Sequence, residues 1–531
     1  MTAAKVADAS RASQRVLRRR CAHAALLVAL LATLTSCTTS PTTPPGDVVV
    51  GLDTAPITLD PRFATDATAA QVGDLLFDGL TRLDDQSRRV PHVAASWETP
   101  DAQTYVFHLR PGFQFPDGAA LTADDIKATY DSVRDPNSRS PKQAALAPIA
   151  AIDVIDPLTL RFRLRDAFAP FLDATGLGIL STRQLGGRGV LKALAQPTGS
   201  GPFRLVRFTP DERVVLARNP TYPFGAPHLP GIVFEVVPDA VTRLLQLRRG
   251  ALDLVQNGIE PDALAWLQAQ PNIAVTTRPS TSFQYLGINL RDPPLADVRV
   301  RQAIAQAIDR DAIVETILKG LATPATGLLA PTHWAYNPHV PTYAYNPKRA
   351  KELLDAAGYP DPDGDGPAPR FRLSYKTTVV ELRRRIAEVL QAQLAEVGIA
   401  LDVRSYEGAT LYTDIRRGNF QLYSLAWVGV EDPDIYYLSC HSSQTPPEGN
   451  NRGGFHDATV DQLTEAARRT LDVEERRRLY AEVQQRVAEL LPVIPLWWPA
   501  NVAVTSRRLR GFEVRPDGSY VSLQGAWIEE P

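Results

Sequence analysis

One fifteen-residue stretch, Ser424 to Leu438, gathers Trp427, Glu431, Asp432, Asp434 and two tyrosines. Carboxylates beside a tryptophan suit a general acid–base pair, a metal site, or one wall of a ligand pocket. Elsewhere Asp361, Asp363, Asp365 and Gly366 match the opening of a calcium loop. Arg372, however, stands where such a loop needs a bidentate glutamate, and turn chemistry accounts for the same residues. Cys440 and His441 are adjacent, a poor geometry for a nucleophile and its base. His108 lies in an alternating strand pattern, where a surface role suffices. H-E-x-x-H, C-x-x-C and Walker-type motifs are absent. Gly176–Ser181 holds two of the three glycines of a dinucleotide fingerprint, and Thr198–Phe203 lacks the G-x-S-x-G elbow. Catalysis therefore has no support: no enzyme, cofactor or bound metal is expected, and a pocket wall is the leading reading.

The elements that must carry such a wall alternate between short strands and amphipathic helices. Thr104–Arg110 and Leu158–Leu164 alternate in period two, as half-buried strands do. Leu382, Ile386, Val389, Leu390 and Leu394 fall on one helical face, with Gly398 as the stop. The segments "KRAKELLDAAGY" and "EERRRLYAEVQQRVAELL" read as further helices. Thr122 suits an N-cap, with Asp124 and Asp125 in the first turn, and Asp309 suits another. Gly118 permits the turn before Thr122. Strand and helix signals mixed throughout argue for α/β lobes, and the chain shows no internal repeat.

At 531 residues, two or more lobes are expected, and the 44 prolines favour loops and short strands over a long bundle. Six basic residues precede the apolar run that ends at Cys37, the pattern of a secretory signal peptide over residues 1–36. The run is too short for a comfortable membrane span. The remaining chain carries 51 basic and 58 acidic residues, which suits an exported protein and gives no nucleic-acid partner. "LTSC" resembles a bacterial lipobox, with Cys37 the acylated residue and residues 37–46 a Thr/Pro-rich tether. With Cys21 removed and Cys37 acylated, only Cys440 is left, so no internal disulfide can form.

Several long segments, in order, resemble the extracellular solute-binding proteins of family 5, receptors of peptide- and nickel-type ABC importers. They are Val93–Val133, with its "LRPGFQFPDG…LTADD" core; Gly199–Tyr222; Ala296–Val314; and Tyr345–Pro360. "ITLDP" at Ile57 and "VIPLWWP" at Val493 fit as well. The resemblance implies an α/β, two-lobed periplasmic-binding-protein (type II) clamshell with an extra subdomain inserted in lobe I. Lobe I would span 47–281 with the insertion at about 85–195, lobe II 282–498, and residues 499–531 would return to lobe I. It further implies a small solute, an oligopeptide or dipeptide in the leading reading, captured between the lobes and passed to ABC permease and ATPase subunits. The protein would be a monomer, lipid-anchored at the cell envelope. The alternatives are a sensory or chaperone-like binding module, a degenerate scaffold with a closed cleft, or a receptor for a non-peptide ligand.

In the family's peptide-binding members, the tryptophan aligned with Trp427 is followed at the third position by an aspartate that pairs with the peptide's α-ammonium. Here Val430 stands at that position, with Glu431 and Asp432 next. The resemblance makes Trp427 a pocket wall and Glu431 a candidate ammonium anchor, flanked by Val430 and Asp432. Tyr285, Gly287 and Asn289, on the strand "FQYLGIN", are candidates to face them across the cleft. For Asp432-Pro433-Asp434, a turn before the next helix is the plainer reading, and for Tyr285 a packed strand aromatic.

Overall fold

Val48–Leu52, VVVGL, is buried along its whole length, as a strand covered on both faces must be. In the computed structural model, which describes residues 46–186, 192–364 and 366–529, this strand pairs in parallel with Gly231–Val236 and Leu254–Gln256. Arg213–Arg218 and Phe203–Thr209 extend the same sheet antiparallel. The signal-peptide segment, Cys37 and the tether up to Pro45 lie outside the described residues, as does Asp365. Among the described residues, no helix is long and apolar enough to cross a membrane.

A second half-sheet holds Ile399–Tyr406, Phe371–Thr378, Leu422–Trp427 and Phe283–Ile288, in that order. The fourteen-residue strand Val493–Ser506 joins the two halves. Its first residues pair with Phe283–Ile288 and Ala322–Pro324. Its last residues pair with Ile273–Pro279 and Leu254–Gln256. A separate four-stranded antiparallel sheet is built from Ala94–Asp101, Thr104–Leu109, Thr159–Leu164 and Ile149–Asp156. Each part has its own apolar core. Val50, Phe234 and Leu254 sit in the first, Leu286, Leu390 and Leu422 in the second, and Phe107, Phe162 and Phe171 in the four-stranded unit.

The local readings appear at these places. Thr104–Leu109 alternates between buried and half-buried residues, and its neighbour Thr159–Leu164 buries every second residue. The helix Glu381–Ala395 buries Ile386, Leu390 and Leu394, and Gly398 takes the left-handed φ of +83° just beyond its end. Asp125 accepts the Thr122 backbone N–H, and Asp309 accepts the Ala312 N–H, each tying off a helix start. Asp361 and Asp363 serve the turn itself: Asp361 accepts the Asp363 N–H and Asp363 the Ala368 N–H. Cys440 is buried, and burial pushes its thiol up to about 12, so it stays protonated and unreactive at neutral pH.

Candidate functional site

A cavity of about 970 Å³ opens mainly between residues 64–92, residues 515–524 and the trio Val428, Gly429 and Glu431. Its wall is rich in charge, including Asp74, Arg82, Arg89, Glu431, Arg515 and Asp517. A cavity of this size suits a ligand of several residues rather than a single ion.

Arg89 lies on the short strand Arg89–Pro91 and spans the cavity. Its Nε donates to Asp173 at 3.2 Å and its Nη2 to Glu431 at 2.9 Å. Gly176 leaves room for this: a Cβ there would lie 2.4 Å from the Arg89 Nη1. The Glu431 backbone is fixed as well, because its carbonyl accepts from His333 Nε2 at 3.0 Å. His333 Nδ1 accepts the Ala335 N–H, and burial pushes the ring down to about 4, so the imidazole is neutral with its proton on Nε2. Enclosure by protein raises the Glu431 carboxyl, opposed by Arg89. Two-fifths of that side chain remain open to cavity water, so the enclosure is partial.

The predicted site residues do not share one wall. Glu431 lines the large cavity. Trp427 and Tyr285 instead line a second, small cavity of about 20 Å³ beside Arg452, too small for a solute. The Arg452 guanidinium lies 5.4 Å from the Trp427 ring centroid and donates to the Tyr285 hydroxyl at 2.9 Å. Val430, Asp432, Gly287 and Asn289 line neither cavity. Val430 is buried and its N–H donates to Thr281. Asp432 accepts twice from Arg476, at 2.8 and 2.5 Å, and its Oδ1 also caps the Asp434 N–H. A Cβ on Gly287 would fall 2.2 Å from the Tyr423 ring, so the glycine makes room for that ring. The Asn289 amide donates to the Phe420 carbonyl at 2.9 Å.

Cavity-lining residues absent from the sequence reading include Asp74, Arg82, Arg89, Arg515, Asp517 and Ser519. Asp74 projects from the helix Ala67–Leu76, whose buried stripe is Val72, Leu75 and Leu76. That stripe is legible and leaves Asp74 on the opposite face, but nothing local says what it faces. Surrounding protein, then Asp517 and Glu431, push the Asp74 carboxyl up to about 8, with Arg89 and Arg515 pulling it back. The Asp74 side chain is exposed on the cavity wall.

Residues 88–447 match the family model described as bacterial extracellular solute-binding proteins, family 5 middle. The chain is 29% identical over 488 residues to the glutathione-binding protein GsiB of Salmonella paratyphi A, covering 89% of this chain and 93% of that one. The solved oligopeptide-binding protein AppA of Bacillus subtilis, in complex with a nonapeptide, superposes with a TM-score of 0.77 at 26% identity, over 91% of this chain and 99% of AppA. NikZ of Campylobacter jejuni, in complex with Ni(L-His), superposes with a TM-score of 0.79 at 25% identity, over 92% and 100%. The two half-sheets and the four-stranded unit are thus those of a two-lobed periplasmic-binding-protein clamshell. With its family model covering most of the fold and its cavity ringed by both ends of the chain, this protein belongs to the bacterial extracellular solute-binding proteins of family 5.

Proposed function

We propose that the protein is the solute-receiving component of an ABC importer and that its ligand is an oligopeptide or dipeptide. The observation that carries this reading is the charged cavity of about 970 Å³, walled by residues 64–92 and 515–524 against Val428, Gly429 and Glu431. Family members bind solutes and hand them on rather than transform them. The relatives include glutathione-, oligopeptide- and dipeptide-binding proteins. The proposed lobe bounds are 47–281, 282–498 and 499–531; in their support, Ile273–Pro279 and Phe283–Ile288 pair with successive parts of the strand Val493–Ser506. Movement about these crossings would close the cavity on its solute.

A non-peptide ligand is the second reading, favoured by one observation. The residue after Val430 is already committed, because Glu431 accepts from Arg89. A peptide ammonium would have to compete with that guanidinium or be held elsewhere. Mass spectrometry of protein purified without denaturant decides between the two. A co-purifying peptide is the expected result, and a non-peptide solute would overturn the peptide assignment.

Cys37 is proposed as the acylated residue that holds the protein at the outer face of a membrane, as a monomer beside its permease. Cys37→Ser is expected to move the protein from the membrane to the soluble fraction. A variant that stays with the membrane would overturn the lipid anchor. Stable attachment takes more than one acyl chain, so a multiply acylated terminus is expected in the mass of the wild-type N-terminal peptide.

A further inference from the structure

Beside the Arg89–Glu431 bridge, the cavity has an acidic corner that this bridge does not use. Gln71 and Asp74 lie one turn apart on the helix Ala67–Leu76, and the Gln71 amide donates to the Gly518 carbonyl at 2.9 Å. Gln256 donates to the same carbonyl at 2.6 Å, so the turn Asp517–Ser519 is fastened beneath Asp74. All three of Asp74, Asp517 and Ser519 line the cavity. Asp517 is 3.5 Å from Arg515, a guanidinium that also reaches Asp85. Asp74 has no ion-pair partner among the described residues. Ser519 supplies an independent observation: it is 4% exposed, and its hydroxyl has no hydrogen-bond partner among the described residues. A buried hydroxyl left unpaired costs free energy unless a ligand group reaches it.

We propose that Asp74, Asp517 and Ser519 form a subsite for a cationic nitrogen of the ligand, an ammonium or a guanidinium. This rests on the solute-binding reading and refines it: the positive charge of the solute is held by the helix Ala67–Leu76 and the C-terminal turn, not by Glu431. With both carboxylates ionised and one guanidinium shared with Asp85, the corner is net negative, and a cation with several N–H donors would favour that ionised form and satisfy both carboxylates and the serine oxygen together.

The test is calorimetry on the full chain in detergent, wild type and Asp74→Asn, with Ser519→Ala as a second variant. The probes are trialanine, acetyl-trialanine, acetyl-Ala-Lys-Ala and agmatine. Trialanine and acetyl-Ala-Lys-Ala separate a terminal ammonium from a side-chain one. The expected result is that Asp74→Asn weakens the cationic probes roughly 10–100-fold, the range of a lost charge-assisted contact, and changes acetyl-trialanine less than about threefold. Ser519→Ala should weaken the same probes by a smaller factor. Asp74→Asn replaces a carboxyl whose ionisation Asp517 and Glu431 already oppose, so its melting temperature should not fall, which keeps the comparison interpretable. Peptides that bind with no dependence on Asp74 would overturn the subsite and leave the peptide reading standing. Agmatine bound through Asp74 by a protein that takes no peptide would keep the subsite and overturn the peptide reading. No binding of any cationic probe to the wild type would overturn the subsite.

Discussion

Asp432→Asn is expected to destabilise the protein by about 3–5 kcal/mol, the cost of leaving one member of a buried ion pair without the other. Arg476 and Asp432 have side chains 9% and 14% exposed, joined by two hydrogen bonds. The guanidinium is set between the Trp334 and Tyr480 rings, at 5.7 and 5.5 Å, and Asp432 first among its neighbours holds it charged against burial. Asparagine keeps the shape and can still accept one hydrogen bond, but it leaves that charge uncompensated. Urea unfolding of the single variant and of Asp432→Asn/Arg476→Met checks this, with the double variant recovering part of the loss because no buried charge remains. A single variant with unchanged stability and lost ligand affinity would instead make Asp432 a ligand contact.

Arg89→Met carries the second large effect, about 2–3 kcal/mol, through two charge-assisted hydrogen bonds. The Asp173 and Glu431 side chains are similarly exposed, 33% and 40%, so water screens both contacts and holds the loss to the lower part of that range. Two carboxylates then face each other without their cation, and both are pushed further above their ordinary range. A carboxyl whose folded value lies above its unfolded value takes up protons on folding. The unfolded value is common to both proteins, so the deficit is largest at alkaline pH and narrows as the pH falls through the raised folded values, about 8 for Asp173. Thermal melts across that range check the sign. A deficit that does not change with pH would show that Arg89 acts through packing rather than charge. Arg89→Met also frees Glu431 to meet a ligand ammonium, so a free-amine peptide should bind the variant at least as tightly as the wild type.

Periodicity revealed the scaffold because strands and helices repeat locally. Thr104–Leu109 and Glu381–Ala395 can be read from their own residues. Arg476 is legible in the same way, since it heads the buried stripe Leu479, Tyr480, Val483 and Val487 despite its charged neighbours. Its partner is not legible, because Asp432 lies on a loop distant in sequence. Arg88 and Arg89 are adjacent and identical in type, yet Arg88 closes a local turn on Asp84 while Arg89 crosses the cavity. Strand alternation says that they point apart, but not which one points inward. The corner of Asp74 and Asp517 is the extreme case: its members come from the two ends of the chain, and only the assembled fold brings them together.

The strand Val493–Ser506 also bears on the order in which the protein can be made. Both half-sheets need it, one against Phe283–Ile288 and the other against Leu254–Gln256, and it comes close to the end of the polypeptide. A ribosome that has released the first 490 residues has delivered neither half-sheet with its shared central strand. Each would present unpaired backbone N–H and C=O groups along that open edge. Neither half-sheet can therefore be completed until synthesis is nearly finished. A shortened chain ending before Val493 should accordingly be protease-sensitive in both half-sheets, while the separate four-stranded unit, which does not use this strand, need not be.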